Sequence, residues 1–404
     1  MFPPRAGSSR AVRQRTSSHI RTCRPHARLG PVTPDVTSVG DLTPPLLRMS
    51  ESTPTRLWSD SATPSELCAA IGWGAVGATC NPVIALAALR ADLVRWQRRI
   101  QQVAADHHGL ADEVAIAWQM VRELSVEAAD PLMAIFEREH GRNGRLSIQT
   151  DPHLYDDEAG LVAQALELAS LAPNMIVKIP ATAAGIRAME EATYRGVTIN
   201  ATVSFTVAQA LTVAEAVERG LNRRESEGLE TTSMGPVCTI MVGRLDDWLK
   251  DVVAREHVLL DPGHLEWPGV AVFKRAYRLL IDRGLRTRLL AAAFRNCMHW
   301  SELVGGDIII SPPFSWQLRL NASGIDPVER IDIPPRQEAV AELYGTLPDF
   351  RRAYDPDGLA PDEFTSFGAT RRTLRQFLAA TDELARLVRD AVLPDPAGPE
   401  LTVH

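Results

Sequence analysis

From residue 55 onward the chain alternates eight short apolar segments with stretches of helical periodicity. The apolar segments fall at 56–60, 75–79, 146–150, 175–179, 198–203, 237–242, 289–293 and 307–311. Short β-branched runs bounded by turn residues read as strands, and strands that alternate with helical patterns read as βα units. Eight such units in one stretch favour a closed parallel sheet over an open one, so the expected fold is a (β/α)8 TIM barrel. Local signals agree. Thr63-Pro64-Ser65-Glu66 has the pattern of a capping box with proline at the first helical position, and Asn81-Pro82 repeats the device before a helix expected at 83–100. Extra helical pattern lies at 113–138. At 370–393, Leu374, Phe377, Leu378, Leu384, Leu387 and Val388 recur at helical spacing, which predicts an amphipathic helix packed on the barrel.

The ends differ. Residues 1–48 hold eight arginines, two acids and many Ser, Pro and Thr, without hydrophobic periodicity. The expected organisation is a disordered leader at 1–54, the barrel at 55–393 and a loose tail at 394–404. The leader reads either as an organelle-targeting peptide or as sequence upstream of a start at Met49.

Composition narrows the function. The net charge of −7 argues against a nucleic-acid partner, and no apolar run is long enough to span a membrane. Five scattered cysteines without metal-type spacing read as reduced thiols, so a cytoplasmic location is expected. The histidines form no HxxxH or HExxH pattern, and no metal or other cofactor is expected.

Of 43 basic residues only three are lysine: Lys178, Lys250 and Lys274. Arginine cannot be deprotonated in a protein, so a lysine kept in so arginine-rich a chain can supply a neutral amine. Lys178 lies in Met175-Ile176-Val177-Lys178-Ile179-Pro180, on the same strand face as Ile176. At the C-terminal rim of a barrel it would meet substrate with a depressed pKa, and neutral amine attacks carbonyls. The competing reading is a lysine reaching to bulk water. Lys250 and Lys274 lie in helical stretches and read as solvated faces.

Several segments resemble one family in its own order. Val177-Lys178-Ile179-Pro180-Ala181-Thr182 with Gly185-Ile186 resembles the Schiff-base strand of the transaldolases. Val197-Thr198-Ile199-Asn200-Ala201-Thr202, with Phe205 and Ala208-Gln209-Ala210, resembles the next unit. Leu57-Trp58-Ser59-Asp60-Ser61-Ala62 is similar to the strand with the catalytic aspartate, and Gly77-Ala78-Thr79-Cys80-Asn81-Pro82 to the family's TTNP turn. Val242-Gly243-Arg244 and Ala293-Phe294-Arg295-Asn296 resemble its two phosphate-side motifs, and Ile310-Ser311-Pro312 the end of its last strand.

The resemblance implies a dihydroxyacetone transfer between sugar phosphates through an imine on Lys178, with Asp60 as the base at the C4 hydroxyl. It further implies that Asn81, Asn200 and Thr239 touch substrate, that Gln149 and Thr202 handle the catalytic water, and that Arg244 and Arg295, at the ends of strands 6 and 7, bind phosphate. For Arg244 the plainer alternative is an ion pair with Asp246 or Asp247, for Asn81 a helix cap, and for Asn200 and Thr202 polar filling of the rim. The sequence departs from the pattern at Gln149, where the family usually has glutamate. It departs again at Ala293, where many relatives have serine, and at Cys80, where they have threonine. Fructose-6-phosphate aldolases, a sister group, also carry glutamine but use a tyrosine where this chain has Met241. A stand-alone aldolase releasing dihydroxyacetone and a non-catalytic sugar-phosphate binder are therefore the alternatives. Oligomeric state is open, a homo-oligomer included.

Overall fold

The computed structural model describes residues 43–106 and 112–394; most of the expected leader, with Cys23, and nearly all of the expected tail lie outside them. Eight strands run in parallel: β1 (Arg56–Ser59), β2 (Ala75–Cys80), β3 (Arg145–Gln149), β4 (Met175–Pro180), β5 (Ile199–Ser204), β6 (Val237–Ile240), β7 (Arg288–Ala292) and β8 (Ile309–Ser311). Each pairs with the next in sequence order, and β8 closes on β1. The expected (β/α)8 barrel is the fold, with each expected strand in place to within one or two residues.

Alternation along the strands sorts side chains onto two sides. Leu57, Leu146, Ile148, Val177, Ile179, Ile199, Cys238 and Ile310 join the large core between sheet and helices. Trp58, Ile176, Val237, Leu290, Ala292 and Ile309 form a second, separate cluster. These six come from five different strands of a closed sheet and can meet only inside it. Trp58, wholly buried, fills much of that interior. Its indole lies where a side chain at position 77 would be: a Cβ there would stand 2.4 Å from Trp58 Cε2, so Gly77 is required by the close approach.

The N-terminal end of the barrel is closed by arginines that sequence reading did not single out. Arg145 donates to the carbonyls of Gly141 (2.6 Å), Met175 (3.1 Å) and Ser233 (2.8 Å). Arg288 donates to Asn143 Oδ1 (3.2 Å) and Arg142 O (2.8 Å). Burial lowers both guanidinium pKa values to about 10.

Three local expectations are corrected. The helix expected at 83–100 is two, Pro82–Ala91 and Leu93–Asp106, broken at Asp92 (φ −130°, ψ 56°). The second piece turns to bury Trp96, Ile100 and Val103. Thr63 stands at the N-cap of the Pro64–Gly72 helix, but its side chain makes no cap bond, so the capping box does not form; instead the Thr63 N–H donates to Ser61 Oγ (3.1 Å). Lastly, a helix at Pro45–Ser52 lies inside the stretch expected to be leader. Its Leu46 and Met49 are wholly buried, and the Trp300 indole N–H donates to Met49 Sδ (3.2 Å).

The C-terminal helix, Gly368–Val392, covers the helices Pro82–Ala91, Leu93–Asp106, Glu113–Ala129 and Val242–Glu256, as its periodicity predicts. No helix among the described residues is long and apolar enough to cross a membrane. Replacing Gly77 with alanine should displace Trp58 and cost about 1–3 kcal/mol. The check is the urea midpoint, and an unchanged midpoint would mean that Trp58 does not need the space.

Candidate active site at the C-terminal ends of the strands

Lys178 shares its strand face with Ile176, a member of the interior cluster, so its side chain enters the barrel. It is only 2% exposed. In register it stands opposite Gln149 on β3 and Asn200 on β5. Burial is the largest influence on its amine and lowers the pKa from the ordinary 10.5; the Asp60 carboxylate opposes this, and the Arg244 guanidinium adds to the lowering. The three groups that the sequence placed at one site thus act on each other. Asp60 follows β1 directly, is half-buried, and accepts a hydrogen bond from Thr79 Oγ1 (2.6 Å).

A polar layer crosses the interior beside Lys178. Asn200 Nδ2 donates to Ser147 Oγ (2.9 Å), and Thr239 Oγ1 donates to Asn200 Oδ1 (2.8 Å). The Asn200 amide is thereby held in one orientation by β3 and β6. Three other buried atoms have no partner in the protein: Gln149 Oε1, Thr202 Oγ1 and Ser311 Oγ. Buried polar groups are rarely left unsatisfied, so these three oxygens are free to make a further hydrogen bond. Ser311 was not among the expected site residues; it shares a face with the interior Ile309, and only its inward register could have marked it.

Asn81 caps the Pro82–Ala91 helix, its Oδ1 accepting from the Ile84 N–H (3.0 Å), which leaves its amide nitrogen as the remaining donor. Cys80 hydrogen-bonds Ser125 on the surrounding helix Glu113–Ala129, and burial pushes its thiol up to about 11. Its departure from the family's threonine therefore bears on packing outside the sheet.

The two arginines do not end strands. Arg244 lies in the first turn of the Val242–Glu256 helix, and Arg295 lies in the loop after β7. Arg244 pairs with neither Asp246 nor Asp247. It donates to Gln376 Oε1 (2.6 Å) and lies over the Phe377 ring at 5.3 Å, both on the C-terminal helix. Burial first, then the charge of Arg295, lowers its pKa to about 10. Asp247 instead pairs with Arg295 (2.9 Å). The two backbones that carry these guanidiniums touch: a Cβ at Gly243 would stand 1.9 Å from the Ala293 carbonyl oxygen. Ala293 itself adopts φ 64°, unusual for a residue with a Cβ.

The other two lysines are both held by partners. Lys274 is buried rather than solvated. Its amine donates to Glu302 Oε2 (2.9 Å), Arg330 O (2.9 Å) and Ile333 O (2.8 Å), which uses all three donors. The segment that covers it is distant in sequence, so helical periodicity gave no sign of the burial. Lys250 pairs with Glu266 (2.5 Å).

Fold and site together define a parallel (β/α)8 barrel with one buried amine, one carboxylate and a pair of guanidiniums gathered at the ends of its strands. Residues 57–341 match the transaldolase/fructose-6-phosphate aldolase family, and the chain belongs to it. It is 28% identical to a transaldolase of Thiobacillus denitrificans over 316 residues, which is 71% of this chain and 84% of that protein. Over 173 residues it is 32% identical to transaldolase 1 of Streptomyces coelicolor, and over 170 residues 31% identical to a transaldolase of Mycobacterium leprae. These two matches span 42% and 41% of this chain, and 44% and 45% of the relatives, so less than half of each.

The opposed influences on Lys178 give a signed expectation. Imine formation with a ketose should rise with pH and level off below 10.5, because the neutral amine is the nucleophile. Asp60→Asn removes the charge that holds the pKa up, so the rise should move to lower pH. Arg244→Gln removes an opposing charge, so the rise should move to higher pH. The pH dependence of borohydride trapping reads both, and shifts of the reverse sign would refute the arrangement.

Proposed function

We propose that the protein transfers a dihydroxyacetone unit from a ketose phosphate to an aldose phosphate through an imine on Lys178. The observation that carries this reading is the buried lysine on the inner barrel face, with Asp60 and Arg244 acting on its charge. Lys178 Nζ attacks the C2 carbonyl, and loss of water gives the protonated imine. Asp60 takes the C4 hydroxyl proton while the C3–C4 bond breaks. The electron pair of that bond passes to the imine, leaving an enamine, and the first aldose phosphate departs. C3 of the enamine then attacks the aldehyde of the acceptor, and water releases the new ketose. Gln149 and Thr202, each with an unpartnered buried oxygen, suit the water that is lost and regained. Asn81, Asn200 and Thr239 suit the substrate hydroxyls. Arg244 and Arg295 suit the phosphate, since guanidinium and phosphate form charge-assisted bonds.

One residue favours a second reading. Glutamine at 149, which can orient a water but cannot accept its proton, is shared with the fructose-6-phosphate aldolases, which release free dihydroxyacetone, while Met241, where they use tyrosine, counts the other way. Membership of a family with both names leaves room for either.

Borohydride reduction in the presence of fructose 6-phosphate should leave a covalent adduct on Lys178, located by mass spectrometry, and Lys178→Arg should abolish it. No adduct on the wild-type chain would instead support a barrel that only binds sugar phosphates. Free dihydroxyacetone, assayed with and without erythrose 4-phosphate, separates the two enzymes. Turnover that requires the acceptor supports transfer, and release without it supports the aldolase.

A further inference from the structure

The histidine four residues beyond Arg295 takes no part in the chemistry above, yet it joins the pieces that carry both arginines. The Arg295 N–H donates to His299 Nδ1 (3.0 Å). An accepting Nδ1 leaves the ring proton on Nε2, which faces Asp246 Oδ2 at 2.8 Å. Asp246 Oδ1 accepts the Gly269 N–H (2.8 Å). Both side chains are wholly buried. Asp246 lies in the same helix as Arg244, two residues on. The neighbouring Asp247 holds the Arg295 guanidinium, while His299 holds the Arg295 backbone. Loop and helix are therefore tied twice, once through a side chain and once through the main chain. Two residues before Arg295 lies Ala293, in the left-handed region, where a residue with a Cβ does not settle unaided.

We infer that His299 is a positioning residue that, with Asp246, sets the separation of Arg295 from Arg244 and so governs affinity for the phosphate group. The inference rests on the proposed function, in which those guanidiniums take the phosphate. Two donors serve one anion well only at a defined spacing, and the link from loop backbone to helix carboxylate supplies it. A side chain that merely filled the space of His299 would leave the Arg295 amide and the buried Asp246 oxygen without these partners.

The test compares trapping by borohydride with fructose 6-phosphate and with unphosphorylated dihydroxyacetone, at varied concentration. His299→Phe keeps the ring shape beside Phe294 but neither hydrogen bond, His299→Asn keeps an acceptor near the Nδ1 position, and His299→Gln keeps a donor toward Asp246. For fructose 6-phosphate, each variant breaks the link at one end or at both, and all three should need about tenfold more sugar for half-maximal trapping. For dihydroxyacetone all three should stay within about twofold of wild type. Equal shifts with both sugars, or no shift in either polar variant, would overturn the inference, and the polar pair decides it if the Phe variant does not fold. A wild-type chain trapped by neither sugar would refute the imine reading instead. Calorimetric titration with inorganic phosphate then still decides on His299: weaker binding in the Gln variant sustains its role, and unchanged binding removes it.

Discussion

An amine inside a closed sheet is held by the balance between burial and a single carboxylate. Charge taken out of water is costly unless paired, and the charge on Lys178 is favoured by the Asp60 carboxylate and opposed by the Arg244 guanidinium. The carboxylate alone would favour the ammonium form; burial and the guanidinium weaken it. The rest of the barrel serves this balance. Trp58 and its apolar neighbours fill the interior below the amine, and Arg145 and Arg288 close the far end on backbone carbonyls.

The barrel was legible because its signal is periodic. Strands buried on both faces read as short apolar runs, and the runs recur eight times. Lys178 was legible because alternation puts it on the face of Ile176 and because arginine has displaced lysine almost everywhere else. What depends on contacts between distant segments was not legible. Lys274 sits in an amphipathic helix like any other until residues 330–333 close over it. The breaking of the 83–100 helix at Asp92 and the unformed cap at Thr63 are decided by packing, which overrides local preference. The His299–Asp246 link joins residues 53 apart in sequence, each unremarkable in its own segment.

The departures from the family pattern fall differently in space. Cys80 faces the surrounding helices, so its exchange for threonine leaves the inner face unchanged. Gln149 stands in register with Lys178 and presents an unpartnered oxygen, so this departure from the family's glutamate lies on the inner face beside the amine. Ala293 removes a hydroxyl from the loop of Arg295, while its carbonyl remains a contact for that guanidinium (3.2 Å). The neighbouring β8 offers the Ser311 hydroxyl from an adjacent register position, opposite Ala292.

The contact of Gln376 and Phe377 with Arg244 gives the order of synthesis a bearing on the site. Strand β4 and its lysine leave the ribosome well before the Gly368–Val392 helix does. A nascent chain can therefore hold all eight strands while Arg244 still lacks the amide and the ring that orient it. The Gly368–Val392 helix supplies the contacts that orient Arg244, so that guanidinium takes its final setting only after this later segment has been made.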